Sequence, residues 1–258
     1  MTSSPGKVAF EETHDGRRLR IVLRGGKGNV VDGALARELG DVLAERTSAK
    51  RLRAITIEAE GPAFSFGASV PEHAPEHVAG LLRGLHRCVE AVMDSPVPVL
   101  AAVRGHCLGG GLELILAAHR IAAAPDAKLG QPEITLGMFA PAASVLLPER
   151  VRRAFAEDML LTGRLVGAEE ARREGLVDEV ADDPEAANVR WFEERLLPRS
   201  SVALRSATSA ARAVHRERLH AALLDLERRF VGETMQTLDA REGIASFTAR
   251  RAPAWTDA

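Results

Sequence analysis

Along the chain the apolar positions change period several times, and each change predicts an element. Residues 8–12 (VAFEE) and 18–24 (RLRIVLR) alternate as two short strands around the turn residues His14-Asp15-Gly16. Asn29 and Asp32 organise a turn and a helix cap. They lead into a helix reaching Arg46, with Leu35, Leu39, Val42 and Leu43 at helical spacing. Residues 52–57 read as a strand and 61–67 (GPAFSFG) as a loop. A helix over 76–94 carries Val78, Leu81, Leu82, Leu85, Val89 and Val92 on one face, and Pro96 and Pro98 end it. Residues 97–103 form a buried-strand run, 104–111 a glycine-rich turn, 112–119 a helix and 121–124 a strand. Residues 128–130 open a second loop, and helices are expected over 142–161 and 168–174. From 187 onward nearly everything is helical, with 198–201 a short hinge. Strands alternating with helices, then a helical tail, predict an α/β fold with a C-terminal helical region.

Composition narrows the function classes. The chain has 258 residues, 46% hydrophobic and 27% charged, as expected of one large globular domain with a real core. A net charge of −2 excludes a strongly basic coat for nucleic acid. No apolar run is long enough for a transmembrane helix, and no secretory signal is visible, so a cytoplasmic location is expected. Of 34 basic residues only Lys7, Lys27, Lys50 and Lys128 are lysines, so arginine clusters are background. The arginines of 205–218, Arg212 and Arg216 among them, therefore read as a solvated helix face rather than an RNA surface. Cys88 and Cys107 make no disulfide framework and lack metal-ligand spacing. Cys107 reads as a buried structural cysteine and His106 as a local hydrogen-bonding residue. His73 and His77 are four apart, but no third ligand accompanies them, so no metal is expected.

The candidate chemistry lies where charge is scarce. Glu113 is the only charged residue in GHCLGGGLELILAA, and Glu133 is the only one in LGQPEITLGMFAPAASVLLP. A lone carboxylate in a buried run is costly unless paired or hydrogen-bonded, and its pKa rises. Two of them fit an acid/base pair; equally, each fits a helix cap or an arginine partner. Gly109-Gly110-Gly111 opens into a helix whose first N–H groups are free to hold an anion or a developing oxyanion. Gly67-Ala68 is a second small-residue loop after a strand.

Together, FSFGASVPEH (64–73), VPVLAAVRGHCLGGGLEL (97–114) and KLGQPEITLG (128–137) resemble the crotonase (enoyl-CoA hydratase/isomerase) superfamily. Residues 161–180 and 241–255 add to the resemblance, which runs from about 18 to 255. It implies a spiral of ββα units over 1–190 holding a coenzyme A thioester site. Over 191–258 it implies a helical region for trimer assembly, as a homotrimer or homohexamer. By the same resemblance the oxyanion hole falls on the N–H groups of Ala68 and Gly110, and the catalytic glutamates on Glu113 and Glu133. Glu113 would activate water and Glu133 would deliver a proton. Phe66, Gly67, Gly109, Pro132 and Phe139 would line the substrate. The substrate would be an acyl-CoA; no separate cofactor, membrane or nucleic acid is implied.

One segment departs from the pattern. Typical hydratases of the superfamily carry a proline-glycine-rich stretch after the second glutamate, whereas residues 138–150 here are MFAPAASVLLPER. This stretch, with FSFGASVPEH, residues 156–158 and His119, most resembles the branch that hydrates cyclohexa-1,5-diene-1-carbonyl-CoA to 6-hydroxycyclohex-1-ene-1-carbonyl-CoA. A generic enoyl-CoA hydratase and a non-catalytic binding module with the same fold are the alternatives.

Overall fold

The computed structural model describes residues 6–258. β1 (Val8–Thr13) pairs antiparallel with β2 (Arg18–Leu23), and every later neighbour in that sheet is parallel. With β3 (Ala54–Ala59), β4 (Val99–Val103), β6 (Arg120–Ala123) and β9 (Glu179–Val180), the order is β1-β2-β3-β4-β6-β9. β4 lies mid-sheet with all five residues buried, which explains its unbroken apolar sequence. Parallel neighbours need crossovers. Helices α1 (Gly33–Arg46), α2 (Val78–Met93) and α3 (Gly110–Leu116) supply three of them. The Asp32 carboxylate caps α1 by accepting from the Leu35 N–H at 2.9 Å, and the whole predicted stripe of α2 is buried.

A second, three-stranded sheet has the order β5 (His106–Leu108), β7 (Lys128–Gly130), β8 (Leu165–Gly167). The chain alternates between sheets: β4 then β5 precede α3, and β6 then β7 precede α4 (Pro141–Arg150) and α5 (Arg153–Thr162). This is the α/β spiral of strand–strand–helix units. Three details differ from expectation. Residues 104–111 and 128–130, read as turn and loop, contain β5 and β7, and β8 is a further strand. Strands of three residues flanked by glycine carry no local signature; they exist through pairings such as His106↔Lys128. The helix expected over 142–161 is two helices, because Val151 is extended (φ −127°) and ends α4. Of the glycines read as a turn before α3, Gly109 makes the turn and Gly110 and Gly111 lie in the first turn of the helix.

After α6 (Ala168–Arg173) and α7 (Pro184–Trp191), the chain ends in α8 (Ser201–Gly232) and α9 (Leu238–Thr248). The hinge falls as expected, and the Ser200 side chain caps α8 by accepting from the Ala203 N–H. The arginine face of α8 does not simply point to water. Arg212 is turned inward and donates to the carbonyls of Val92, Met93 and Ala117, while Arg205 bonds those of Thr47 and Ala49. These arginines dock α8 onto the C-terminal ends of other helices. Among the described residues no helix is long and apolar enough to cross a membrane.

Candidate active site

The backbone comes first. Asn29 is buried at positive φ; its side chain accepts from the Gly25 N–H and donates to the carbonyls of Glu60 and Ala63. The Asn29 carbonyl accepts from the Ser65 hydroxyl at 2.8 Å, and the same hydroxyl accepts from the Gly67 N–H. Gly67 then turns at φ +95°, with its carbonyl bonded by the Val31 N–H. Val31 and Ser69 complete a bridge around Ala68, and the Ala68 N–H donates to no protein group among the described residues. The Gly110 N–H lies in the first turn of α3 and likewise has no acceptor. A Cβ on Gly110 would sit 3.3 Å from the Ala68 nitrogen, so the two donors are neighbours. Ser65 and the reach of Asn29 carry no local sequence signal, because their contact spans 36 residues.

Gly109 supplies the turn into α3 at φ +48° and ψ −129°, a region L side chains avoid. A Cβ there would meet Glu133 Oε1 at 2.3 Å, so the missing side chain is what lets Glu133 approach. Pro132 starts the short 3-10 turn Pro132–Leu136 that carries Glu133, and its carbonyl accepts from the Thr135 hydroxyl.

Glu113 and Glu133 border one small cavity of about 20 Å³, together with Ala68, Gly110 and Phe139. Its remaining wall is apolar side chain from α2 and α4, the Phe230 ring of α8, and His73. The Phe139 and Phe230 rings meet edge to face at 5.4 Å. That volume suits about one water molecule. Of the residues expected to line substrate, Phe139 lies on this wall. Gly67, Gly109 and Pro132 do not border it; each is the chain neighbour of a residue that does, Ala68, Gly110 and Glu133. Phe66 lies outside it, 46% exposed against His106. His106 packs its ring at a tilt against Phe66, while its carbonyl accepts from the Ser65 N–H at 3.0 Å. A larger groove of about 560 Å³ between α1 and α2 holds neither buried glutamate, so size does not mark the site.

The two carboxylates differ. Glu113 Oε1 accepts from the Ala143 N–H at 2.9 Å. Burial raises its pKa, while His86 and the N–H groups of Ala143 and Ala142 pull toward the anion. Glu133 is pushed up to about 8, by burial and then by the charge of Glu113, and its Oε2 has no hydrogen-bond partner. Two carboxylates buried around one small cavity do not both ionise, and the proton rests on Glu133. Among the described residues neither glutamate has an arginine salt-bridge partner. The rest of the neighbourhood is structural: Cys107 is buried with its thiol pKa pushed well up, and His119 Nδ1 accepts from the Val99 N–H while burial lowers its pKa to about 3. Among the described residues no three His, Cys, Asp or Glu side chains cluster to hold a metal.

The sequence profile of the enoyl-CoA hydratase/isomerase family matches residues 20–258. Cyclohexa-1,5-dienecarbonyl-CoA hydratase of Thauera aromatica is 49% identical over 253 residues, spanning 98% of this chain and 97% of that protein. Carnitinyl-CoA dehydratase of Escherichia coli (strain K12) is 30% identical, spanning 94% of this chain and 96% of that one. The crystal structure of carnitinyl-CoA hydratase from Mycobacterium avium superposes with a TM-score of 0.86 at 27% identity, covering 99% of this chain and 100% of that one.

Proposed function

Because the chain belongs to the enoyl-CoA hydratase/isomerase family, we propose that it adds water to an α,β-unsaturated acyl-CoA, the acyl group being the ring of cyclohexa-1,5-diene-1-carbonyl-CoA. The observation that carries the reading is a water-sized cavity bordered by two buried carboxylates and two unengaged N–H groups. The ring substrate is supported by the 49% identity to the Thauera aromatica enzyme and by the altered 138–150 segment.

The thioester oxygen would lie against the Ala68 and Gly110 N–H groups. Negative charge grows there as water attacks the β-carbon, and each donor is worth about 3–4 kcal/mol at that stage. Glu113, the carboxylate held as the better anion, accepts a proton from the water. Glu133, the carboxyl that keeps its proton, donates it to carbon. With a cyclic diene the enolate is conjugated with the second double bond, so the proton goes to its far end and water adds 1,4 across the ring. Admission of that ring requires Phe139 and Phe230 to move apart.

Coenzyme A enters as part of the substrate, and the chemistry calls for no other cofactor. Glu113, Glu133, Ala68 and Gly110 are the reacting and stabilising groups in this reading; Phe66, Gly67, Gly109, Pro132 and Phe139 shape the substrate's path. Residues 1–190 form the catalytic core and 191–258 the assembly region of a cytoplasmic homotrimer or homohexamer. Phe230, from that second region, also borders the cavity.

Purified enzyme should hydrate cyclohexa-1,5-diene-1-carbonyl-CoA faster than crotonyl-CoA, with 6-hydroxycyclohex-1-ene-1-carbonyl-CoA identified by mass spectrometry. Glu113→Gln and Glu133→Gln should each lower turnover at least ~100-fold with the fold intact. Wild-type turnover in either variant would overturn the mechanism. Faster crotonyl-CoA hydration would make the chain a generic hydratase.

A further inference from the structure

Glu113 and Glu133 account for the proton transfers of hydration, yet a third titratable side chain borders the same void. His73 closes the 3-10 turn Val70–His73 just after Ala68, with its ring edge-on to Phe230 at 6.4 Å. Its Nδ1 lies 2.8 Å from the Ser69 carbonyl oxygen. A carbonyl only accepts, so Nδ1 carries a hydrogen. Burial holds the imidazole below its ordinary pKa, against the weaker opposing pulls of the Ser69 and Val70 backbone and Glu72. The ring is therefore neutral near pH 7, and Nε2 presents a bare lone pair. Apart from the two carboxylates and the oxyanion donors, it is the one polar side chain on a wall of carbon.

A water in this cavity has two hydrogens. One goes to Glu113. The other stays on oxygen through the reaction and has to point somewhere, and Glu133 is committed to donating its own proton to carbon. We propose that His73 Nε2 accepts that remaining O–H, orienting the attacking water and then holding the product's hydroxyl. This rests on the hydratase reading of the same site. The proton balance is unchanged: the water oxygen bonds the β-carbon, one water proton passes to Glu113, the Glu133 proton passes to ring carbon, and none is transferred to His73.

The test compares His73→Leu, which removes the acceptor, with His73→Gln, whose amide oxygen restores one. Both are assayed with cyclohexa-1,5-diene-1-carbonyl-CoA and crotonyl-CoA alongside wild type, Glu113→Gln and Glu133→Gln. His73→Leu should lower kcat about 10- to 100-fold with KM within about threefold, the size expected when an O–H loses its acceptor beside buried groups. His73→Gln should recover most of that loss. Melting curves establish that each variant is folded, and His73→Phe replaces His73→Leu if the latter is not. A His73→Leu kcat within about twofold of wild type, a loss confined to KM, or a Gln variant as poor as the Leu variant would each overturn the proposal. If the two glutamate variants fail while the His73 variants run normally, only this proposal falls. If wild type hydrates neither thioester, the hydratase reading falls with it.

Discussion

Glu113 and Glu133 are chemically identical side chains that their surroundings make different. Glu113 has the Ala143 N–H aimed at one oxygen; Glu133 has an oxygen with no partner and a neighbour of like charge. A carboxyl held at about 8 is protonated near neutrality, as a general acid must be. Catalysis needs that protonated form, so kcat/KM should fall as pH rises through about 8. A rate profile from pH 6 to 10 checks it, and a rate flat to pH 10 would remove Glu133 from the acid role. The lone-carboxylate pattern made both residues visible in the sequence. Which of them keeps the proton was not legible, because the deciding N–H belongs to a residue 30 positions away.

At the scale of elements, α8 has little of a greasy face and docks largely through part-buried polar contacts: of its 32 residues only Thr208, Leu223 and Phe230 are buried. Arg212 reaches the carbonyls at the end of α2 and just after α3, where a helix runs out of its own i+4 N–H donors. Burial, and then the charge of Arg150, lower its pKa to about 10, which leaves it cationic at neutral pH. Arg212→Met keeps the stem and drops these bonds, and should cost about 2–3 kcal/mol in denaturant unfolding. Arg216→Met loses only an exposed 3.8 Å pair with Asp94 and should cost under about 0.5 kcal/mol. Equal costs would show that Arg212 does not anchor the helix. Nearer the cavity, buried His86 of α2 donates to Glu227 of α8, one turn before Phe230, so the docking of α8 and the cavity wall are one arrangement. Long helices were easy to read from residue periodicity. Arg212 and Arg216 were indistinguishable in a chain this rich in arginine, and only the helix's orientation separates them.

For the whole molecule, the C-terminal segment leaves Leu238, Phe247 and Trp255 at 54%, 56% and 43% exposure. Large apolar side chains grouped on one segment are costly in water and suit burial between copies of the chain. On the trimer or hexamer proposed above, sedimentation should give a mass three or six times the 27.7 kDa protomer. Phe247→Asp together with Trp255→Asp should shift it toward smaller species. A monomeric wild type would remove the assembly role of 191–258.

The alternation of strands and helices, the burial of residues 97–103 and the two isolated glutamates are written in the chain itself. All of these are local: periodicity, and charge missing from an apolar run. Packing settled the rest. The three-residue strands exist through distant partners, the Ala68 N–H is free because Asn29 and Ser65 fix the turn before it, and Glu133 approaches only where Gly109 has no side chain. His73 shows the difference most plainly. Its spacing from His77 suggests at most half of a metal site, while its position puts it on the wall of the cavity that the two glutamates share. Spacing along a chain fixes which residues share a helix face; which groups border one water-sized void depends on elements that meet only when the whole core has packed.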